Sequence, residues 1–348
     1  MFSPRSIISI ITLVFVCWPN AIFVSAQEDQ SIKLQATLVS VPVIVSDRQG
    51  RYMGGLKMSD FTLYKDRVRQ TIAAFDSVEE PINVALLLDT SKSTRNVLDE
   101  IKDAATGFLK TLRPQDRAMV VSFDYEVHVL STLTSDRKAL ERAVKKAEIG
   151  FYPGTTLRDA IVKVTSEAFK EIKGRKAIVL LTDGKDHGSR INETELLDSA
   201  AESDAMIYSI FYGTGFGRAF DDRARDRFPG RGRGGRGGWR RRGGGFEPPP
   251  QMPERRRRRE RMEQKNEDAA EFLNELSEVS AGRFYSSEVT DLKDTFNQIA
   301  EELRHQYRLG FYASDDKHDG SVHRLTVQVA RPGAVVRARN SYRSTQPD

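Results

Sequence analysis

Cysteine is almost missing from this chain: Cys17 is the single one in 348 residues. That excludes a disulfide framework and a thiolate metal site, so any exported domain here must be held by its core and by bound ions. Histidine is scarce too. His128, His187, His305, His318 and His323 show no paired spacing that suggests zinc. Each reads as an ordinary surface or loop residue, with His187, four positions past Asp183, placed to rim a site. Long apolar runs are confined to Ile7–Trp18, which leaves nothing later in the sequence to span a membrane. No Gly-x-Ser-x-Gly elbow, phosphate loop or dinucleotide fingerprint occurs, which removes the common hydrolase, nucleotide and nicotinamide readings.

What is present divides into unlike segments. The start, with Arg5 before the apolar stretch and Val24-Ser25-Ala26 after it, has the form of an export signal cleaved after Ala26. Val16 is too bulky for a lipoprotein signal around Cys17. The expected location is therefore outside the cytoplasm: periplasmic, secreted or associated with the cell envelope, with no membrane span after cleavage. Between Gly217 and Met262 there are 16 arginines against six acids, whereas the whole chain is only +5. The basic balance thus belongs to one Arg/Gly/Pro-rich insert, too poor in aliphatic residues to offset its ordering entropy, and expected to be disordered. Such a tract, with Trp239 and Phe246 in it, is also a candidate polyanion contact for nucleic acid or anionic polysaccharide.

Organisation follows from rhythm. Val39, Val41, Val43 and Val45 alternate with Ser40, Pro42, Ile44 and Ser46, a period-two strand whose proline suggests an edge. Short strands follow near Phe61–Tyr64 and Gln70–Phe75. From Ile82 the pattern becomes strand and helix in turn, with strands at Val84–Leu88, Ala118–Phe123, Lys176–Leu181, Met206–Tyr212 and Arg283–Tyr285. That alternation predicts an α/β fold: a doubly wound, mostly parallel sheet with helices on both faces. The last forty residues alternate again, and are expected to pair with the first β segment into one small flanking β domain. The expected division is 1–26 signal, 27–80 β module, 81–307 α/β domain with the insert at 217–262, and 308–345 C-terminal strands.

The chemistry gathers at strand ends. The run Ile82–Leu88 stops at Asp89, followed by Thr90, Ser91, Ser93 and Thr94. "PGTTLRDA" places Thr155 and Thr156 at a helix start, and "VLLTDGKDH" places Thr182 and Asp183 after an apolar strand. Two readings stand at this point. Asp, Ser and Thr are good turn and cap residues; they are also hard oxygen ligands suited to Mg²⁺ or Ca²⁺. Asp89 after an apolar strand alternatively suggests an aspartyl phosphohydrolase, but those need an acid two residues on, where this chain has Ser91.

The three elements together resemble the von Willebrand factor A domain family, whose metal-ion-dependent adhesion site has an Asp-x-Ser-x-Ser loop, a distant threonine and a distant aspartate. Asp89, Ser91 and Ser93 match the first loop, Thr155 matches the threonine of Gly-Thr-x-Leu-x-Asp-Ala, and Asp183 matches Thr-Asp-Gly. The resemblance implies a non-enzymatic binding module. Its divalent cation, Mg²⁺ in the first instance with Mn²⁺ or Ca²⁺ as alternatives, would touch the three hydroxyls directly and the two aspartates through water. It would leave one position for an Asp or Glu carboxylate of a protein partner. The flanking β segments look like those of exported bacterial proteins of the von Willebrand factor A-related type, first noted in acidobacteria. They depart at Lys65-Asp66-Arg67, where that group tends to have Glu-Asp-Gly.

Overall fold

The computed structural model describes residues 37–212, 253–313 and 320–344. The export-signal segment and residues 217–252 of the insert lie outside the described residues. Six strands form the central sheet: β5 (Ile82–Asp89), β6 (Arg117–Phe123), β7 (Val127–Thr134), β8 (Arg175–Thr182), β9 (Ala205–Tyr212) and β10 (Arg283–Ser287). Their order is β10-β9-β8-β5-β6-β7, parallel throughout except for the antiparallel edge strand β7. The apolar runs that looked like doubly covered strands are that: every residue of β5, β8 and β9 is buried.

Alternation along β5 feeds two cores. Val84, Leu86 and Leu88 face α1 (Leu98–Thr111), α2 (Arg137–Lys145) and α6 (Leu292–Arg304), represented by Phe108, Leu140 and Phe296. Ala85 and Leu87 face α3 (Leu157–Lys163), α4 (Glu193–Glu202) and α5 (Pro253–Val279), represented by Ile161, Leu196 and Leu273. Each fully buried Leu or Phe contributes on the order of 1.5–3 kcal/mol by leaving water.

The remaining strands make two four-stranded antiparallel sheets. One has the order β13-β1-β11-β4, with β1 (Thr37–Ser46), β4 (Ala74–Asp76), β11 (Gln306–Ala313) and β13 (Val335–Ala338). The other has the order β14-β12-β2-β3, with β2 (Phe61–Lys65), β3 (Val68–Gln70), β12 (Val322–Val329) and β14 (Ser341–Arg343). N-terminal and C-terminal strands interleave, and Val39, Val41, Val43 and Val45 share a core with Leu63, Phe311, Leu325 and Tyr342.

Two expectations need correction. Pro42 does not mark an edge strand: β1 lies between β11 and β13. The ring is tolerated because β13 pairs only with Val43–Ser46, leaving the Pro42 backbone facing β11 on one side. Disorder of the insert fails over 253–262, which begin α5. Arginine and glutamate are strong helix formers, and a proline fits the first turn, where its missing N–H is not needed. Strand β7 went unanticipated because its faces are half exposed and no glycine or proline separates it from β6. At the departure from Glu-Asp-Gly, the β2–β3 hairpin still turns, with Asp66 at φ 48° and Arg67 at φ 71°. Two positive-φ residues define the turn that matches strand twist, and Arg67 occupies a position that favours glycine.

Candidate metal centre

In open sheets of this kind, ligands bind beyond the carboxyl ends of the strands where successive crossovers diverge. Here that point lies between β5 and β8: the chain passes from β5 to β6 on one side and returns to β8 on the other. Leu88 pairs in register with Leu181, so Asp89 and Thr182 leave the sheet at the same level. The two strongest acid candidates therefore sit on adjacent strand ends by topology alone.

The first loop is wound tightly around its aspartate. Asp89 is fully buried; its Oδ1 accepts the Ser91 amide at 2.9 Å and its Oδ2 accepts the Thr182 hydroxyl at 2.7 Å. The turn brings Ser91 Oγ to 2.9 Å from Ser93 Oγ. Ser91 is buried, whereas Ser93 is exposed. Thr94 closes the turn by donating its hydroxyl to the Ser91 carbonyl at 2.9 Å. Some of the hydroxyls thus do serve the turn, as the capping reading required. Ser91 and Ser93 instead point at each other.

The other two loops are tied in by main chain. Thr155 is buried, and its carbonyl accepts the His187 amide at 3.1 Å, which joins the threonine loop to the segment after Asp183. The Gly150 amide donates to the Thr90 carbonyl at 2.9 Å, joining the threonine loop to the first. Asp183 is buried and accepts the Lys185 ammonium on Oδ2 at 2.7 Å. His187 is exposed and contributes its backbone here.

Burial pushes the Asp89 carboxyl up to about 7, and the charge of Asp183 pushes in the same direction, against the hydrogen bonds of Ser91 and Thr182. Tyr212, at the end of β9, is held well above its ordinary range by burial and then by the charges of Asp89 and Asp183. Its hydroxyl is buried and finds no hydrogen-bond partner among the described residues. Two carboxylates, the outer one already holding the Lys185 ammonium, a hydroxyl pair and a phenol form a set of oxygen donors in which Asp89 has no cation of its own, which suits a hard divalent cation. Among the described residues no group of three or more His, Cys, Asp and Glu is placed to hold a metal, so any ion here would depend on hydroxyl oxygen.

Two supporting residues escaped sequence reasoning as such. Thr182 holds Asp89, and Asp124 organises the neighbouring loops: its carbonyl accepts the Thr156 amide and hydroxyl at 2.7 and 3.1 Å. The signal for Asp124 was present in "VVSFD", an apolar strand ending in aspartate like "ALLLD" and "LLTD".

These features define an open, doubly wound α/β domain whose ligand end is built from oxygen donors. The sequence model of the von Willebrand factor type A domain matches residues 84–185, and the chain carries a domain of that family there. An uncharacterized protein of Synechocystis sp., sll0103, is 30% identical over 142 residues, which take in 38% of this chain and 32% of the relative. The chain thus spans about a third of the length of the curated relative it matches. Among solved structures, proximal thread matrix protein 1 of the mussel byssus aligns with a TM-score of 0.46 at 12% identity, over 80% of this chain and 51% of that one. BatB of Bacteroides thetaiotaomicron aligns with a TM-score of 0.43 at 18% identity, over 64% and 97%. The von Willebrand factor domain of the pili tip protein Mfa5 of Porphyromonas gingivalis aligns with a TM-score of 0.41 at 13% identity, over 64% and 94%.

Proposed function

We propose that this chain is an exported, non-enzymatic protein-binding module in which Asp89, Ser91, Ser93, Thr155 and Asp183 hold a divalent cation, Mg²⁺ foremost. When bound, the ion supplies an electrophilic position for an Asp or Glu carboxylate of a partner protein. The observation that carries the reading is the local shortage of positive charge at Asp89. This buried acid is held by Ser91 and Thr182, with a second carboxylate close enough to raise it.

The chain's own residues prepare that position. The Ser91 amide and the Thr182 hydroxyl fix both oxygens of Asp89, so its carboxylate cannot rotate away. Lys185 attends Asp183, the outer acid, and its side chain remains about one-third exposed (32%). No helix among the described residues is long and apolar enough to cross a membrane.

Isothermal titration with MgCl₂ tests the reading. Asp89→Ala and Ser91→Ala are expected to abolish Mg²⁺ binding while circular dichroism stays native. Unchanged Mg²⁺ affinity in both variants refutes the site.

A further inference from the structure

Three aromatic rings stand in solvent beside the candidate cation loops. Phe151 is 84% exposed, Tyr152 62% and Tyr125 52%. Phe151 meets Tyr152 edge-on with ring centroids 5.2 Å apart, and Tyr152 lies 5.9 Å from Tyr125. Docking would take from water the exposed share of the roughly 150–250 Å² that a whole aromatic side chain can bury. A contiguous apolar patch of that kind on a soluble domain marks a place where something binds.

The backbone beneath the rings is pinned. Gly150 donates to the Thr90 carbonyl, and Thr156 donates twice to the Asp124 carbonyl. A Cβ added at Gly150 would fall 2.5 Å from Asp124 Cγ. One added at Gly154, whose φ is 152°, would fall 2.9 Å from a Tyr125 ring carbon. The 150–156 loop therefore lies flat on the Asp124–Tyr125 turn and shares its anchors with Thr90 and Thr155. A rigid aromatic surface loses little freedom on docking, which is why such residues dominate binding hot spots.

We propose that Tyr125, Phe151 and Tyr152 are the apolar half of a docking surface whose polar half is the cation loops. The occupant is an extended segment of a partner protein with an aliphatic or aromatic side chain close to its acidic residue. This rests on the carboxylate-binding reading above. Tyr152 is three residues from Thr155, a span of at most about 10 Å, so the partner's apolar side chain falls within about three residues of its acid. The chemistry of the loop sets what lies on it. Phe151 has no polar atom, the 148–154 segment has no basic residue, and Glu148 and Glu126 are exposed acids that repel a carboxylate from the rings. Charge thus confines the partner's acid to the cation loops and leaves the rings for an uncharged side chain.

The probe is a displayed library of random heptapeptides, selected on the full chain in MgCl₂ and eluted with EDTA. A Phe151→Ser/Tyr152→Ser double variant is selected in parallel. Both substitutions are on exposed rings, and equal Mg²⁺ affinity by titration will verify that the cation loops are intact. The native chain is expected to select an Asp or Glu with an aromatic or aliphatic residue within three positions. The double variant should keep the acid preference, lose the apolar one, and bind the native-selected peptides about tenfold or more weakly. Selection of acid alone by both proteins, of Lys or Arg beside the acid, or of the same apolar residues by both, overturns the platform while leaving the carboxylate reading standing. Apolar peptides captured equally with and without EDTA overturn the carboxylate reading, and with it the pairing proposed here.

Discussion

The two ends of the central sheet treat buried charge in opposite ways. At the amino ends of the strands the buried groups Asp116, Lys176 and Arg175 each meet polar partners within the chain. Asp116 accepts from the Arg113 backbone, from its guanidinium and from the Ile82 amide. Lys176 reaches Asp204 at 2.8 Å. Arg175, fully buried, donates to the carbonyls of Gln306, Leu303 and Glu80, which ties β8 to the start of β11 and to the segment before β5. At the carboxyl ends Asp89 is equally buried, yet it is met by neutral donors and by a second acid. One end is electrostatically closed; the other is open at Asp89, because the Lys185 ammonium there is taken by Asp183. A closed end stabilises; an open one is destabilising unless something from outside completes it.

The largest expected effect comes from breaking the closed end. Arg175→Met removes a guanidinium from at least two buried carbonyls, and hydrogen bonds from a charged donor are worth ~1.5–3 kcal/mol each. Burial already holds the Arg175 guanidinium down at about 10, so the site tolerates the charge only because those carbonyls receive it. A loss of roughly 3 kcal/mol in urea unfolding is expected, with Mg²⁺ affinity of the remaining folded protein unchanged. A variant as stable as the parent would show that the carbonyls find other partners and that the closed end is not closed by Arg175.

Interference at the open end should have the other sign. In EDTA, Asp89→Asn removes a buried charge while its oxygen goes on accepting the Ser91 amide and the Thr182 hydroxyl turns to accept from the new NH₂, and a gain of about 1–3 kcal/mol is expected at pH 8. The pH profile sharpens this. An unfolded Asp89 loses its proton near the ordinary value of 3.8, whereas the folded one keeps it until about 7. Between those values the folded state binds more protons, so this residue's contribution to stability is full below the lower value and is lost as pH rises through about 7. Metal-free protein should therefore melt several degrees lower at pH 8 than at pH 5. Asp89→Asn should flatten the difference, and MgCl₂ should offset it. A native profile that is already flat in EDTA would mean that burial and the Asp183 charge do not raise the Asp89 carboxyl.

How much of this was legible beforehand differs between the two ends for a physical reason. The open end is written in consecutive residues, an apolar run ending in an aspartate beside hydroxyls, with Ser91 and Ser93 after Asp89 and Thr182 before Asp183, because a strand end must place its ligands within a few positions of itself. The closed end joins residues far apart in the chain. Arg175 to Gln306 and Arg113 to Glu80 are pairings that only the packed sheets create, and no spacing rule announces them. The same division explains the misreadings of the fold. Pro42 carried a local signal for an edge, but its exemption depends on how far β13 extends along β1. Strand β7 has a weak local signal and exists because β6 offers a ladder.

The smallest predicted effect tests whether closure is graded. Lys176 and Asp204 form a pair less buried than Arg175: the lysine side chain is 8% exposed and the aspartate 24%. Lys176→Met exchanges one ion pair for apolar packing along the same stem, and leaves Asp204, the more exposed partner, with access to water. Because Asp204 keeps its contact with water once unpaired, a loss of about 1 kcal/mol, smaller than at Arg175, is expected by urea unfolding. If Lys176→Met instead destabilises as much as Arg175→Met, partial solvent contact does not soften the cost of removing a charge there. The contrast between the ends would then reflect pairing alone and not burial, so the open end would be expected to recover its stability from any cation, including a lysine introduced on a neighbouring loop.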